Sequence, residues 1–286
     1  MASKQSILVG LIGAGIQSSL SPAMHEREGA AQGLCYAYRL IDLDVLALTA
    51  AALPDLLESA ERQGFSGLNI TFPCKQAVIE WLDELSPDAR AIGAVNTVLF
   101  ANGRRIGHNT DWSGFAESFR RELPDVRRER VVLLGAGGAG AAVAHALLTL
   151  QTRELAIVDI DARRAGALAD ALCSRFGAGR AIAIDDPAAA MRGADGVVNA
   201  TPVGMAKFPG LPLPVELLSP KLFVCDVVYF PLETELLGEA RARGCRTMPG
   251  AGMAVFQAVA AFGLFSGRTA DAERMRAHFA ELTRRP

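Results

Sequence analysis

A lysine, a carboxylate and several amides and hydroxyls are concentrated in three short polar segments of this 286-residue chain. The first is Ser18-Ser-Leu-Ser-Pro-Ala-Met-His25 and the second is Asn69-Ile-Thr-Phe-Pro-Cys-Lys75. The third spans Gly93-Ala-Val-Asn-Thr97 and Gly107-His-Asn-Thr-Asp111. Apolar, β-branched runs lie beside them, so the polar groups fall at strand ends, where open α/β sheets receive ligands. Together they supply a lysine, a carboxylate, two amides and several hydroxyls, groups able to bond a polar ligand or to move a proton. An ammonium cannot accept a proton, so a lysine base works through its neutral form. Singly, each group also has a structural explanation: Ser21 as a helix cap, Asp111 as the cap of a helix over 112–123, Lys75 as a surface lysine. His25 and His108 stand alone, without metal-ligand spacing, and no metal site is expected.

A second kind of chemistry is written in Arg130-Val-Val-Leu-Leu134, a buried-strand pattern, followed by Gly135-Ala136-Gly137-Gly138-Ala139-Gly140 and a helical run from Ala141. Gly135 permits the tight turn, Gly137 lets backbone approach a pyrophosphate, and Gly140 allows close packing of helix on strand. The helix N-terminus offers free N–H groups to the phosphates. The next strand, Leu155-Ala-Ile-Val-Asp159, ends in the acid expected to receive the ribose 2′-hydroxyl. A carboxylate there favours NAD and repels the 2′-phosphate of NADP. Arg163 and Arg164, just downstream, are the opposing feature, although Arg163 also suits stacking on adenine. Asp161 is positioned to cap the alanine-rich helix that runs to about Arg175.

Strands are predicted at 7–12, 36–40, 67–71, 95–100, 131–134, 155–159, 181–184, 196–199, 223–228 and 246–248, with helical patterns between most of them. This alternation indicates an α/β protein with helices on both faces of parallel sheet. Ser21-Pro22 is a helix start signal and Gly33 a stop. The length suits two domains: residues 1–111 with 252–286 packing back on them, and 112–251 as the dinucleotide-binding domain. The cleft between two such domains is a usual place for a small-molecule site.

Half of the residues are hydrophobic, 21% are charged and the net charge is -2, a globular profile with no electrostatic footprint for nucleic acid or an anionic membrane. The five cysteines form no CxxC pair, against a zinc site or a disulfide framework. The first apolar run is too short to span a bilayer and has no basic leader. A reduced cytoplasmic protein, monomer or homodimer, is expected.

The chain resembles the shikimate/quinate dehydrogenase family over essentially its whole length. The resemblance is carried by the segments above together with Asn199-Ala-Thr-Pro-Val-Gly-Met205, Asp226-Val-Val-Tyr229 and Gly252-Met-Ala-Val-Phe-Gln257. It implies a mixed-sheet α/β substrate domain, a Rossmann-like dinucleotide domain and C-terminal helices returning to the first. It also implies Lys75 and Asp111 as the catalytic pair and Ser19 and Ser21 on the substrate carboxylate, with Tyr229 nearby. Thr71, Asn96, Asp111 and Gln257 would bond ring hydroxyls, while Asn199, Thr201, Val227, Gly250 and Met253 would line the nicotinamide side. Three departures point to the NAD-using quinate/shikimate branch. Ser18 stands where a histidine is common, Ala14-Gly15 replaces Asn-Pro, and Asp159 replaces the Asn-Arg-Thr run of NADP users. The alternatives are an NADP-dependent biosynthetic shikimate dehydrogenase, a paralogue acting on an amino-substituted shikimate, and a non-catalytic ligand sensor on the same scaffold.

Overall fold

The structure, a computed structural model, describes residues 5–284. The chain divides into two compact units, one running to Thr110 and resuming at Val255, the other Asp111–Ala254. In the first, β1 (Ser6–Gly13), α1 (Ser21–Ala31), β2 (Cys35–Asp42), α2 (Leu53–Arg62) and β3 (Gly67–Ile70) come in order, followed by α3 (Cys74–Ala77), β4 (Glu84–Leu85), α4 (Pro87–Ile92), β5 (Thr97–Ala101) and β6 (Arg104–His108). The sheet runs β2-β1-β3-β5-β6-β4. Strand β1 is parallel to β2 and β3, while β5 is antiparallel to β3 and β6, so the sheet is mixed. One face is closed by Ile12, Leu57, Leu68, Ile70, Val78 and Val98, all fully buried.

Two strands escape the sequence pattern. Strand β6 begins Arg104-Arg105 and lacks an apolar run, and β4 is only two residues long. The pairing of β6 with β5 is set by a hairpin instead, and β4 then adds in parallel to β6: Asn102 and Gly103 join β5 to β6 with φ of 53° and 70°. Both central residues of a type I′ turn require that left-handed region, and Asn-Gly supplies it. That dipeptide was the available signal. A second difference concerns α1, whose cap residue is Leu20, with no side-chain cap bond; Ser21 is already the first helical residue. Gly33 follows the helix at φ 73°, as a stop signal should.

The second unit contains α5 (Asp111–Glu122), β7 (Arg130–Leu134), α6 (Gly138–Thr149), β8 (Glu154–Val158), α7 (Ala162–Phe176), β9 (Ala181–Ala183), α8 (Pro187–Met191), β10 (Gly196–Asn199), β11 (Phe223–Asp226), α9 (Glu235–Ala242) and β12 (Arg246–Met248). Its sheet is parallel throughout, in the order β12-β11-β10-β7-β8-β9. The chain leaves β7 in one direction through β8 and β9, then returns to β7's other side with β10. The switch point lies between β7 and β10, where a doubly wound sheet binds its ligand.

Helices α10 (Ala251–Ser266) and α11 (Ala272–Thr283) end the described chain. Arg274 of α11 donates two hydrogen bonds of 2.7 Å to Glu28 of α1, whose carboxylate is fully buried. The Asp271 N–H and the Gln32 amide complete that carboxylate's shell at 2.9 and 2.7 Å.

Beside this clamp His25 is fully buried among Tyr36, Tyr38, Phe262 and Phe265. Its Nδ1 lies 3.0 Å from the Tyr36 hydroxyl, and its Nε2 has no hydrogen-bond partner. Burial lowers its pKa to about 3, against a weaker upward pull from Glu28. Histidine in the unfolded chain titrates near 6.5, so the unfolded state binds the proton first. The stability that neutral His25 contributes is present above about pH 6.5 and is lost as pH falls toward 3. Asp226 has the opposite sign: burial raises its carboxyl to about 6, so its contribution is lost as pH rises from the ordinary carboxylate range toward that value. Denaturant unfolding of the protein and of His25→Phe at pH 6.5 and pH 5 separates the two. The His25-dependent loss is about 2 kcal/mol over that interval. Equal losses in both proteins would exclude His25 as the source.

Candidate active site

In the first unit most of the candidate residues lie where the parallel strands β1 and β3 end and the antiparallel strand β5 begins. Ser19 and Ser21 follow β1, Thr71 and Lys75 follow β3, and Asn96 immediately precedes β5. Three backbone bonds tie these segments together: Ala14 N–H to Phe72 O at 2.9 Å, Thr71 N–H to Ile12 O at 2.9 Å and Val95 N–H to Lys75 O at 2.8 Å. Lys75 lies in the short helix α3 and is half-buried, where the sequence alone also allowed a freely exposed lysine. Gln257 lies on α10 and is also half-buried.

Asn96 is almost fully buried and its amide is spoken for on both sides. Its Nδ2 donates to Thr110 Oγ1 at 2.9 Å, and its Oδ1 accepts from the Thr110 N–H at 2.7 Å. These bonds anchor the residue directly before Asp111. Asn69 plays a similar supporting part: it donates to Thr97 Oγ1 at 3.0 Å and accepts from the Tyr38 hydroxyl at 2.8 Å. Asn69, Thr97 and Thr110 lie inside the polar segments of the sequence, but Tyr38 does not. A tyrosine in an apolar strand reads as core, and nothing local marks its hydroxyl as a partner of Asn69.

In the second unit Asp111 is buried and opens α5. The glycine turn lies between β7 and α6 as the sequence predicts. Gly135 has φ 96°, and a Cβ on Gly140 would meet Gly135 O at 2.0 Å. A Cβ on Gly137, by contrast, would meet nothing within 4 Å, which leaves that backbone open to a ligand. Gly138 and Ala139 begin the helix, whose N-terminal N–H groups are available to a phosphate. This cradle fits a dinucleotide pyrophosphate.

The carboxylate of Asp159, just past β8, accepts from the Ala136 N–H at 2.7 Å through Oδ2 and from the Asp161 N–H at 2.9 Å through Oδ1. It therefore braces the glycine turn, and each oxygen still has acceptor capacity for a ribose hydroxyl. Asp161 caps α7 by accepting from the Arg163 N–H at 3.0 Å. That contact, with the Arg164 N–H and both guanidinium charges, holds its carboxyl below the usual range despite burial. Arg163 is 3.5 Å from Asp161 and Arg164 3.8 Å from Asp159, while Ile160 between the two acids is fully exposed.

Across the switch point, Asn199 at the end of β10 accepts from Thr201 Oγ1 at 2.6 Å and donates to Asp226 Oδ1 at 3.0 Å. Asp226 also accepts from Thr234 Oγ1 at 2.7 Å and from the Val228 N–H at 3.0 Å. The network fixes the segment that carries Val227 and Tyr229. In the sequence, Asp226 stands out only as the first residue of Asp226-Val-Val-Tyr229. Gly250, against whose position a Cβ would meet Val227 O at 2.5 Å, and Met253 stand beside it at the start of α10. Among the described residues, no group of three His, Cys, Asp or Glu side chains that could hold a metal ion comes together. No described helix is long and apolar enough to cross a membrane.

A parallel doubly wound sheet with a glycine turn at its switch point, joined to a mixed α/β unit bearing a lysine and polar strand ends, defines a dinucleotide-dependent oxidoreductase. The family profile "Shikimate dehydrogenase substrate binding domain" matches residues 11–98, and "Shikimate 5'-dehydrogenase C-terminal domain" matches residues 250–278. A shikimate dehydrogenase (NADP(+)) of Streptomyces avermitilis is 61% identical, with 98% of this chain and 97% of that protein covered. A quinate/shikimate dehydrogenase (NAD(+)) of Corynebacterium efficiens is 50% identical, covering 97% and 99%. Quinate dehydrogenase from Corynebacterium glutamicum in complex with NAD superposes with a TM-score of 0.89 at 47% identity, over 97% of this chain and 100% of that one. The chain belongs to the shikimate dehydrogenase family.

Proposed function

We propose that this protein is an NAD-dependent dehydrogenase that reversibly oxidises a ring secondary alcohol of quinate or shikimate to the 3-dehydro ketone. The observation that carries the cofactor choice is the Asp159 carboxylate, fixed by the Ala136 and Asp161 N–H groups at the end of β8. A 2′-phosphate brought there meets two carboxylates, whereas a ribose 2′-hydroxyl meets an acceptor. The nicotinamide, when bound, supplies the hydride acceptor. Residues 135–140 and the α6 N-terminus receive the pyrophosphate, and Asn199, Thr201, Val227, Gly250 and Met253 line the nicotinamide side.

Ser19 and Ser21 bond the ring carboxylate, with Tyr229 nearby, and Thr71, Asn96, Asp111 and Gln257 bond ring hydroxyls. Lys75 takes the proton from the reacting hydroxyl at Nζ, and Asp111 orients lysine and hydroxyl together. Names of relatives support both cofactors: the Streptomyces relative is named for NADP(+), the Corynebacterium efficiens one for NAD(+). Arg163 and Arg164 are the features that favour NADP, yet each faces an acid here. Such exposed pairs are individually weak, so the buried Asp159 carboxylate decides. Initial rates with NAD and NADP, each with quinate and shikimate, test the assignment. Asp159→Ala raises KM for NAD by about 10–100-fold and relaxes discrimination against NADP. An unchanged NAD/NADP preference in that variant would exclude Asp159 as the discriminator.

A further inference from the structure

Asp42, at the C-terminal end of β2, is almost fully buried, and its carboxylate accepts four hydrogen bonds. Oδ1 accepts from the Gly15 N–H at 3.0 Å and the Asp44 N–H at 3.1 Å. Oδ2 accepts from the Ile16 N–H at 3.0 Å and Gln17 Nε2 at 2.9 Å. Among the described residues no lysine, arginine or histidine pairs with it. A buried charge without a counter-ion is tolerated only when N–H donors satisfy it, and three of the four donors here belong to the loop between β1 and α1.

That loop carries Ser19 and leads into Ser21. The Ser19 N–H donates to Ile16 O at 2.9 Å, and the Ser21 N–H donates to Ser19 Oγ at 3.3 Å. A continuous series of bonds therefore runs from Asp42 through Ile16 to both serines. Gly15 sits at φ 66°, a conformation that turns its N–H toward the carboxylate and that side-chain-bearing residues adopt at a cost. Burial alone would raise the Asp42 carboxyl, but the Gln17 amide and the N–H groups of Gly15, Asp44 and Ile16 hold it below the usual range. The clamp is thus charged throughout the neutral pH range.

We propose that Asp42 is a positioning residue that sets the serine loop for the substrate carboxylate, acting through the backbone of Gly15 and Ile16 and the side chain of Gln17. The inference rests on the reading that Ser19 and Ser21 bind that carboxylate. An asparagine at 42 offers one acceptor oxygen and turns two donor hydrogens against donors, so Asp42→Asn opens the clamp with little change of volume.

Initial rates with quinate and with NAD varied separately test this, alongside NADH binding by fluorescence. Asp42→Asn raises KM for quinate about 10–100-fold, with kcat within about threefold and NADH affinity unchanged. Gln17→Leu, a change at an exposed position that keeps the buried carboxylate, raises it in the same direction by a smaller factor and serves if Asp42→Asn does not fold. In a Ser19→Ala/Ser21→Ala background, Asp42→Asn adds less than about threefold, because coupled residues are not additive. An unchanged quinate KM in the folded Asp42 and Gln17 variants, or an equal increase with and without the serines, overturns the proposal while leaving the serine assignment standing. If the serine variants themselves leave the quinate KM unchanged, the carboxylate reading fails and the role of Asp42 falls with it.

Discussion

Lys75→Ala lowers kcat by about 10²–10⁴-fold, the range for loss of a positioned acid–base group. The backbone around Lys75 is held independently of its side chain, by Val95 N–H on Lys75 O at 2.8 Å and by Cys74 N–H on Thr71 O at 2.8 Å. Truncation therefore removes the amine and leaves the strand end in place. Lys75→Arg does not restore activity, because a guanidinium keeps its charge at working pH and cannot take a proton. Initial rates with saturating NAD check both variants. A kcat near that of the unaltered protein with a raised KM would reassign Lys75 to binding alone.

Gly140→Ala is the second change with a large expected effect, and its comparison with Gly137→Ala carries the argument. A methyl at 140 lies 2.0 Å from Gly135 O and 2.8 Å from its carbon, so α6 must move away from the end of β7. Overpacking of this kind costs about 1–3 kcal/mol, and the displaced helix N-terminus weakens dinucleotide binding as well. Thermal unfolding falls by several degrees, and KM for the dinucleotide rises about 10–100-fold. Gly137→Ala meets no protein atom within 4 Å, so its Tm stays near that of the unaltered protein while dinucleotide binding alone suffers. Scanning calorimetry with and without NAD separates the two outcomes. A stable Gly140→Ala with full dinucleotide affinity would mean that the close packing has no functional consequence.

Much of the second unit was legible because its signals are local. A buried-strand run, a glycine turn and a helix follow one another within 130–149, and Asp159 closes the next strand at the expected place. The cap at Asp161 was equally readable, since an aspartate next to an alanine-rich run needs no distant partner. The first unit was harder. Strand β6 has an arginine pair where apolar alternation is expected, and its place depends on the Asn102-Gly103 hairpin. Ser21 matched a cap signal, yet the helix begins one residue earlier, with Leu20 at the cap and no side-chain cap bond.

The sequence by itself determined the dinucleotide turn, the acid that follows it and the residue types at each strand end. These depend on patterns a few residues long, where periodicity and turn chemistry act directly. Tertiary structure alone decided which buried polar groups support them. Asp42 reaches Ile16 from 26 positions away, Tyr38 reaches Asn69 from 31, and Asp226 reaches Asn199 from 27. Each pairing exists because parallel strands bring distant residues into register, and a buried polar group must then find a partner among whatever the register supplies.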